Sequence, residues 1–128
     1  MADAKETSPG VFRVHCRTSD DLEPARQVNL ISALDFAAQR GFTGIVFVLD
    51  PGIRTVDVSV PTFWLGVTAR PDLKLRAMAI VSKSIGVITA AKGFAIANTL
   101  RRLELEVQTF PTEAPALDWV KGVVERGA

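Results

Sequence analysis

Two short apolar runs place the strongest limit on how this chain can fold. Residues 44–49 are apolar throughout, and residues 75–81 are apolar except for one arginine. Runs of this length are typical of strands, and strands without polar alternation are covered on both faces, as in a parallel sheet. Residues 61–69, between the two runs, are long enough only for a short helix. This region therefore predicts a strand, a helical crossover and a second, parallel strand.

Further segments of the chain have the patterning of strands and helices. Residues 11–17 alternate in polarity and predict the first strand. Cap-type residues ahead of Pro24 predict a helix that runs to about Arg40. The other predicted elements are a helix at 84–103, a strand at 105–110 and a last helix after Thr112. The alternation predicts an α/β fold with a mainly parallel sheet of four to five strands and alternating helices.

Length and composition predict one small domain. The chain has 128 residues, and 48% of them are hydrophobic, which is enough apolar material for a single core. Residues 1–10 are mostly polar and predict a flexible N-terminal tail, so we expect the domain to span residues 11–128.

Charge and cysteine content narrow the function classes. The net charge is +1, so no field of the whole molecule would attract nucleic acid. Cys16 is the sole cysteine, which excludes an intramolecular disulfide and favours a reducing compartment. The N-terminus lacks the apolar stretch of a signal peptide, and no apolar run approaches the ~20 residues of a membrane span. We therefore expect a cytoplasmic protein with no transmembrane segment.

Residues that could carry catalysis or bind a metal are few. His15 is the only histidine, and it is the neighbour of Cys16 in a predicted strand, so the two side chains point to opposite faces. No carboxylate pair has the spacing of metal ligands, and both common glycine-rich nucleotide loops are absent. We expect no enzyme activity, no metal and no cofactor. An enzyme would need carboxylates such as Asp50 and Asp57 to converge on a cleft.

The predicted helix at 84–103 is apolar on all sides. A helix of this kind must be covered all round, by a neighbouring helix, a second subunit or an apolar ligand. Its large apolar side chains form a candidate dimer or ligand face: Ile85, Ile88, Phe94, Ile96 and Leu100.

The loop after the central strand has two interpretations. Asp50, Pro51 and Gly52 have plain turn chemistry, yet ligands of open α/β sheets bind beyond the carboxyl ends of the strands. Trp64, in the short crossover helix, is a candidate for a position at a site mouth or an interface.

The order of these elements resembles the STAS/SpoIIAA-like family, which includes anti-sigma factor antagonists. The C-terminal half is similar to the divergent STAS/SEC14 group. The similar parts are residues 76–82, the small-residue helix that follows, Phe110 and residues 116–120. Asp50 matches an aspartate that ends a strand in the antagonists, and residues 57–60 resemble their Asp-Ser-Ser-Gly segment, in which the second serine is phosphorylated. This resemblance makes Ser59 a candidate phosphorylation site, although valines stand at positions 58 and 60. Alternatively, Ser59 caps the helix ahead of Pro61.

The resemblance implies a bacterial regulatory protein with a SpoIIAA-like fold. We therefore expect a non-enzymatic interaction domain that binds a protein partner through Asp50, Asp57, Ser59 and Trp64. The alternative is a carrier or sensor of an apolar, lipid-like ligand. A homodimer is a separate expectation, which depends on the apolar helix.

Overall fold

The computed structural model describes residues 3–18, 41, 43–57, 59–68, 74–100 and 105–126. The helix predicted at residues 24–40 lies outside them. The strands are β1 (Asp3–Ser8), β2 (Val11–Cys16), β3 (Gly44–Leu49), β4 (Ala77–Val81) and β5 (Glu106–Phe110), and the helices are α1 (Ser59–Thr68), α2 (Ile85–Leu100) and α3 (Glu113–Arg126).

The strands form one five-stranded sheet in the order β1-β2-β3-β4-β5. β1 is antiparallel to β2, and every other neighbouring pair is parallel. The register pairs Cys16 with Leu49 and Val48 with Val81, so the carboxyl ends of the parallel strands lie at one edge of the sheet. The predicted α/β fold with its mainly parallel sheet is confirmed.

The N-terminal residues differ from the sequence expectation. Asp3–Ser8, expected in a flexible tail, form the edge strand β1, and Ala4 pairs with Val14 of β2. Pro9 and Gly10 make the turn between the two strands, and Gly10 has a φ of 81°, which favours glycine. Edge strands tolerate polar and charged residues, so a polar composition did not distinguish this strand from a tail.

Helices cover both faces of the sheet. α1 and α2 pack on one face, where the buried residues are Phe12, Val14, Cys16, Ile45, Phe47, Leu49, Ile53, Val60, Leu75, Met78, Val87 and Phe94. α3 packs on the other, over Val11, Val46, Ala77, Ala79 and Val81. Trp119 of α3 also contacts Phe110, with ring centroids 5.6 Å apart. At the carboxyl edge of the sheet the strands are followed by loops.

Candidate functional site

A cleft of about 470 Å³ opens where β3, β4 and β5 end. The loops that follow parallel strands meet at this edge, which is where open α/β sheets bind their ligands. Residues from all three loops line the cleft: Leu49, Pro51, Arg54, Val81, Ser82, Lys83, Ser84 and Pro111.

The described charged residues in this lining are all positive. Arg54 and Lys83 supply two cations, and Ser82 and Ser84 supply two hydroxyl groups. None of the described residues that line the cleft is acidic. The cleft therefore offers hydrogen-bond donors and positive charge beside apolar surface.

The loop between β3 and α1, residues 50–57, is fixed to the sheet at its start. The backbone N–H of Asp50 donates to the carbonyl oxygen of Cys16 at 3.0 Å, and Asp50 Oδ1 lies 2.6 Å from Nε2 of His15. Ile53 is buried, and its N–H donates to the carbonyl oxygen of Asp50. The buried side chain of Ile53 and the hydrogen bonds of Asp50 thus hold a loop whose other residues are mostly exposed.

The middle of the loop is fixed to the residues that begin α2. The hydroxyl group of Ser84 donates to the carbonyl oxygen of Arg54 at 2.8 Å. A Cβ atom on Gly86 would lie inside contact distance of the same oxygen, so this close approach requires glycine. Arg54 and Lys83 are brought to one cleft by this contact between the two loops.

The end of the loop caps α1, and the cap is Asp57. The N–H of Ser59 donates to Asp57 Oδ1 at 2.8 Å. The Ser59 hydroxyl group and then the Ser59 N–H stabilise the charged carboxylate, which lowers the pKa of Asp57 below its ordinary value. The alternative in which Ser59 is the cap is therefore wrong, because the carboxylate two residues earlier accepts the helix N–H.

One ion pair and one hydrogen-bonded pair lie on the face of the sheet that α3 covers. Arg13 contacts Glu113 in the first turn of α3, and His15 contacts Asp50. Cys16 is buried on the opposite face of the sheet, as the alternation of side chains along β2 predicts. Sequence reasoning missed the His15–Asp50 pair. Its only signal was that both residues stand near the ends of strands that are neighbours in the sheet.

The residues predicted for partner binding are partly brought together. Asp50, Asp57 and Ser59 belong to one loop and its helix start, and Trp64 lies in α1. Asp50 pairs with His15, whereas Asp57 pairs with Ser59, so the two carboxylates have different partners.

The five apolar residues predicted as one face of α2 lie on different sides of the helix. Phe94 is buried in the core and Ile88 is half-buried, whereas Ile85, Ile96 and Leu100 are 82%, 63% and 79% exposed. Phe94 is therefore a core residue, and only the three exposed residues are available to a second subunit.

Two absences apply to the part of the chain that the structure describes. No three His, Cys, Asp or Glu side chains there are close enough to hold a metal ion. No helix in that part has the length and apolarity that crossing a membrane requires.

Comparison with known proteins identifies the architecture. The structure is similar to the crystal structure of an uncharacterized protein of the DUF3478 family from Shewanella loihica PV-4, which has a SpoIIAA-like fold. The TM-score is 0.52 at 15% sequence identity, and the similarity covers 94% of this chain and 92% of that chain. This chain has a SpoIIAA-like fold. At this identity the similarity shows the fold alone; no family model and no curated protein matches the chain.

Proposed function

We propose that this SpoIIAA-like chain is a non-enzymatic regulatory domain that binds a protein partner through residues 50–59 and the adjoining helices. The observation that carries the proposal is an exposed loop held in one shape. Side chains of β2 and of the segment before α2 fix the loop from outside, and Ile53 fixes it from within. A surface ordered before binding loses less entropy when a partner docks.

The outward residues of this loop suit recognition. Pro51, Gly52, Arg54 and Thr55 are exposed, whereas the strand β3 that precedes the loop is almost entirely buried. Binding residues are often found on loops that a rigid scaffold positions. The absence of catalysis is part of the proposal. His15, Cys16 and the carboxylates of the loop do not form a nucleophile with an oriented base.

Site-specific photocrosslinking tests this proposal. A photoreactive residue at Thr55 should give a covalent adduct with one protein in cells of the native source. The matched control is the same residue at Lys121, which is exposed on α3 over the opposite face of the sheet. An adduct from Thr55 that unlabelled protein competes away supports the proposal. Equal adducts from both positions, or none from Thr55, would contradict it.

The candidate modification at Ser59 is a separate proposal on the same surface. Ser59 is exposed, and its hydroxyl group stabilises the Asp57 carboxylate that caps α1. A phosphate there would repel Asp57 and disrupt the cap, which is how a switch could act on the loop. Intact-mass analysis of protein from its source should show a phosphate that the variant Ser59→Ala lacks. A phosphate retained in that variant would exclude Ser59.

An apolar cleft favours the alternative function, a carrier or sensor of an apolar ligand. Its volume is about 70 Å³, and its lining is apolar: Phe47, Leu49, Val56, Val60, Pro61, Met78, Ile80, Val87, Ala90, Ala91 and Phe94. A cavity of about 150 Å³ holds one benzene molecule, so an apolar chain would bind here only if the cleft widens around it. We expect Ala90→Leu to abolish an apolar adduct in native mass spectra, and Ala95→Leu, outside the cleft, to retain it. Loss in both variants, or no adduct, would exclude this function.

A further inference from the structure

We infer that the cleft at the carboxyl ends of β3, β4 and β5 binds a small organic molecule that carries a phosphate group. The inference goes beyond the proposed protein partner, because it assigns a small-molecule site to residues of all three loops. Four observations on the cleft support it.

The first observation is size. The cleft measures about 470 Å³, within the range of roughly 300–1,000 Å³ that is typical of small-molecule sites. The apolar cleft beneath α2 is several times smaller, at about 70 Å³. Of these two clefts in the described part of the chain, the carboxyl-edge cleft is the one with room for an organic ligand without rearrangement.

The second observation is charge. Arg54 and Lys83 both line the cleft, and its described lining includes no carboxylate to neutralise them. The nearby acids of the loop are already engaged, Asp50 with His15 and Asp57 with Ser59. Since the whole chain has a net charge of only +1, the positive character of the cleft is local. Arginine and lysine together are typical of sites that bind phosphate.

The third observation is a buried donor. Ser82 lines the cleft and is only 8% exposed. Its Oγ accepts a hydrogen bond from the N–H of Ser84 at 3.1 Å, but its own O–H finds no acceptor among the described residues. Buried hydroxyl groups normally have an acceptor, and a phosphate oxygen in the cleft would supply one.

The fourth observation is how the cleft divides into polar and apolar parts. Leu49, Val81, Pro51 and Pro111 form its apolar portion. An inorganic phosphate ion would leave this portion empty, whereas the carbon skeleton of a phosphate ester would cover it. α2 also begins directly after Ser84, and the positive end of a 16-residue helix adds to the attraction for an anion.

Titration of the purified chain with phenyl phosphate tests the inference. Calorimetry measures the affinity, and the backbone amide chemical shifts in NMR spectra locate the site. We expect phenyl phosphate to bind more tightly than inorganic phosphate or phenol and to shift the amides of Ser82, Lys83 and Ser84. Lys83→Gln should weaken binding roughly tenfold, because it removes a charged hydrogen bond. Lys121→Gln, which removes an exposed lysine of α3, should leave the affinity within about twofold.

Several outcomes would overturn the inference. They are the absence of binding, binding that Lys83→Gln and Lys121→Gln weaken equally, and binding of inorganic phosphate as tight as that of phenyl phosphate. Tighter binding of a phosphoserine peptide than of phenyl phosphate would assign the cleft to a protein ligand instead. No partner protein is present in these titrations, so their failure is distinguishable from failure of the proposed function.

Discussion

Gly44 allows β3 and α3 to pack closely because it has no side chain beyond a hydrogen atom. A Cβ atom at this position would lie 2.5 Å from Cγ1 of Val120 and 2.8 Å from Cγ2 of Val124. We expect Gly44→Ala to lower the free energy of unfolding by about 1–3 kcal/mol, because α3 must move away from β3. Urea denaturation measures this change.

The matched control is Gly122→Ala in α3, where an added Cβ meets nothing within 4 Å. Alanine is favoured over glycine inside a helix, so this variant should be as stable as the parent or up to ~1 kcal/mol more stable. Parental stability in Gly44→Ala would show that α3 does not approach β3 this closely.

Asp57 gives the stability of the chain a defined dependence on pH. The pKa of its carboxyl group is lowered by Ser59, so the carboxylate stabilises the folded state at neutral pH. This contribution is complete above the ordinary aspartate pKa of about 3.9 and is lost as the pH falls through the lower folded value. Asp57→Asn should therefore have a lower Tm than the parent near neutral pH, with a difference that disappears in strong acid.

The variant Ser59→Ala separates the two causes of this pKa shift. It removes the hydroxyl donor and retains the backbone donor, so its pH dependence should lie between those of the parent and Asp57→Asn. Thermal unfolding across the acid range measures all three chains. Identical profiles for the three would contradict the proposed cap.

At the scale of elements, α2 has two chemically similar but structurally different sides. Val87, Ala91 and Phe94 pack on the sheet, while Ile85, Ile96 and Leu100 face away from it. Lys92 is the only charged residue in the helix. The amino-acid composition of the two sides therefore did not show which one is buried. The buried side is the one that packs on the sheet.

We predict that the chain forms a homodimer through the exposed side of α2. We expect the parent to associate at high micromolar concentration and Ile96→Glu to remain monomeric in sedimentation experiments, because a carboxylate would be buried unpaired in the seam. Stability of the monomer should change by less than about 0.5 kcal/mol, since Ile96 is exposed.

A control variant places the same carboxylate elsewhere. Ala114→Glu adds it to an exposed position of α3, over the opposite face of the sheet, and should leave association unchanged. A monomeric parent, or loss of association in both variants, would remove the prediction.

At the scale of the whole molecule, β1 determines where the sheet ends. It pairs along most of its length with β2 and covers the edge that β2 would otherwise expose. Deletion of residues 1–8 should lower the free energy of unfolding by on the order of 2 kcal/mol and promote association, because unpaired strand edges recruit other chains. Thermal unfolding and light scattering measure the two effects.

The same deletion distinguishes the strand from the tail that the sequence predicted. Removal of residues 1 and 2 alone, which precede β1, serves as the control and should change neither property. If the longer deletion also has no effect, residues 3–8 act as a tail and the domain begins at residue 11.

Local sequence patterns predicted β2 to β5, the three described helices and the α/β fold class. Residues 44–49 are apolar enough to identify a strand covered on both faces, and the spacing of apolar residues after Thr112 identifies α3. Such signals are local, because burial of both faces makes a strand apolar throughout, and burial of one face imposes a period of 3.6 residues on a helix. β1 was missed because its residues are mostly polar, and an edge strand does not require an apolar pattern.

The contacts between polar groups that are far apart in the sequence became visible only in the folded chain. His15 and Asp50 are 35 positions apart, and Arg13 and Glu113 are 100 apart, yet both pairs are in contact. The register of β2 against β3 places the first pair together, and the packing of α3 across the sheet places the second. The cleft has the same origin, because Arg54 and Lys83 line one cleft only where the ends of separate strands converge. No local pattern encodes such contacts, since they depend on how the sheet is assembled.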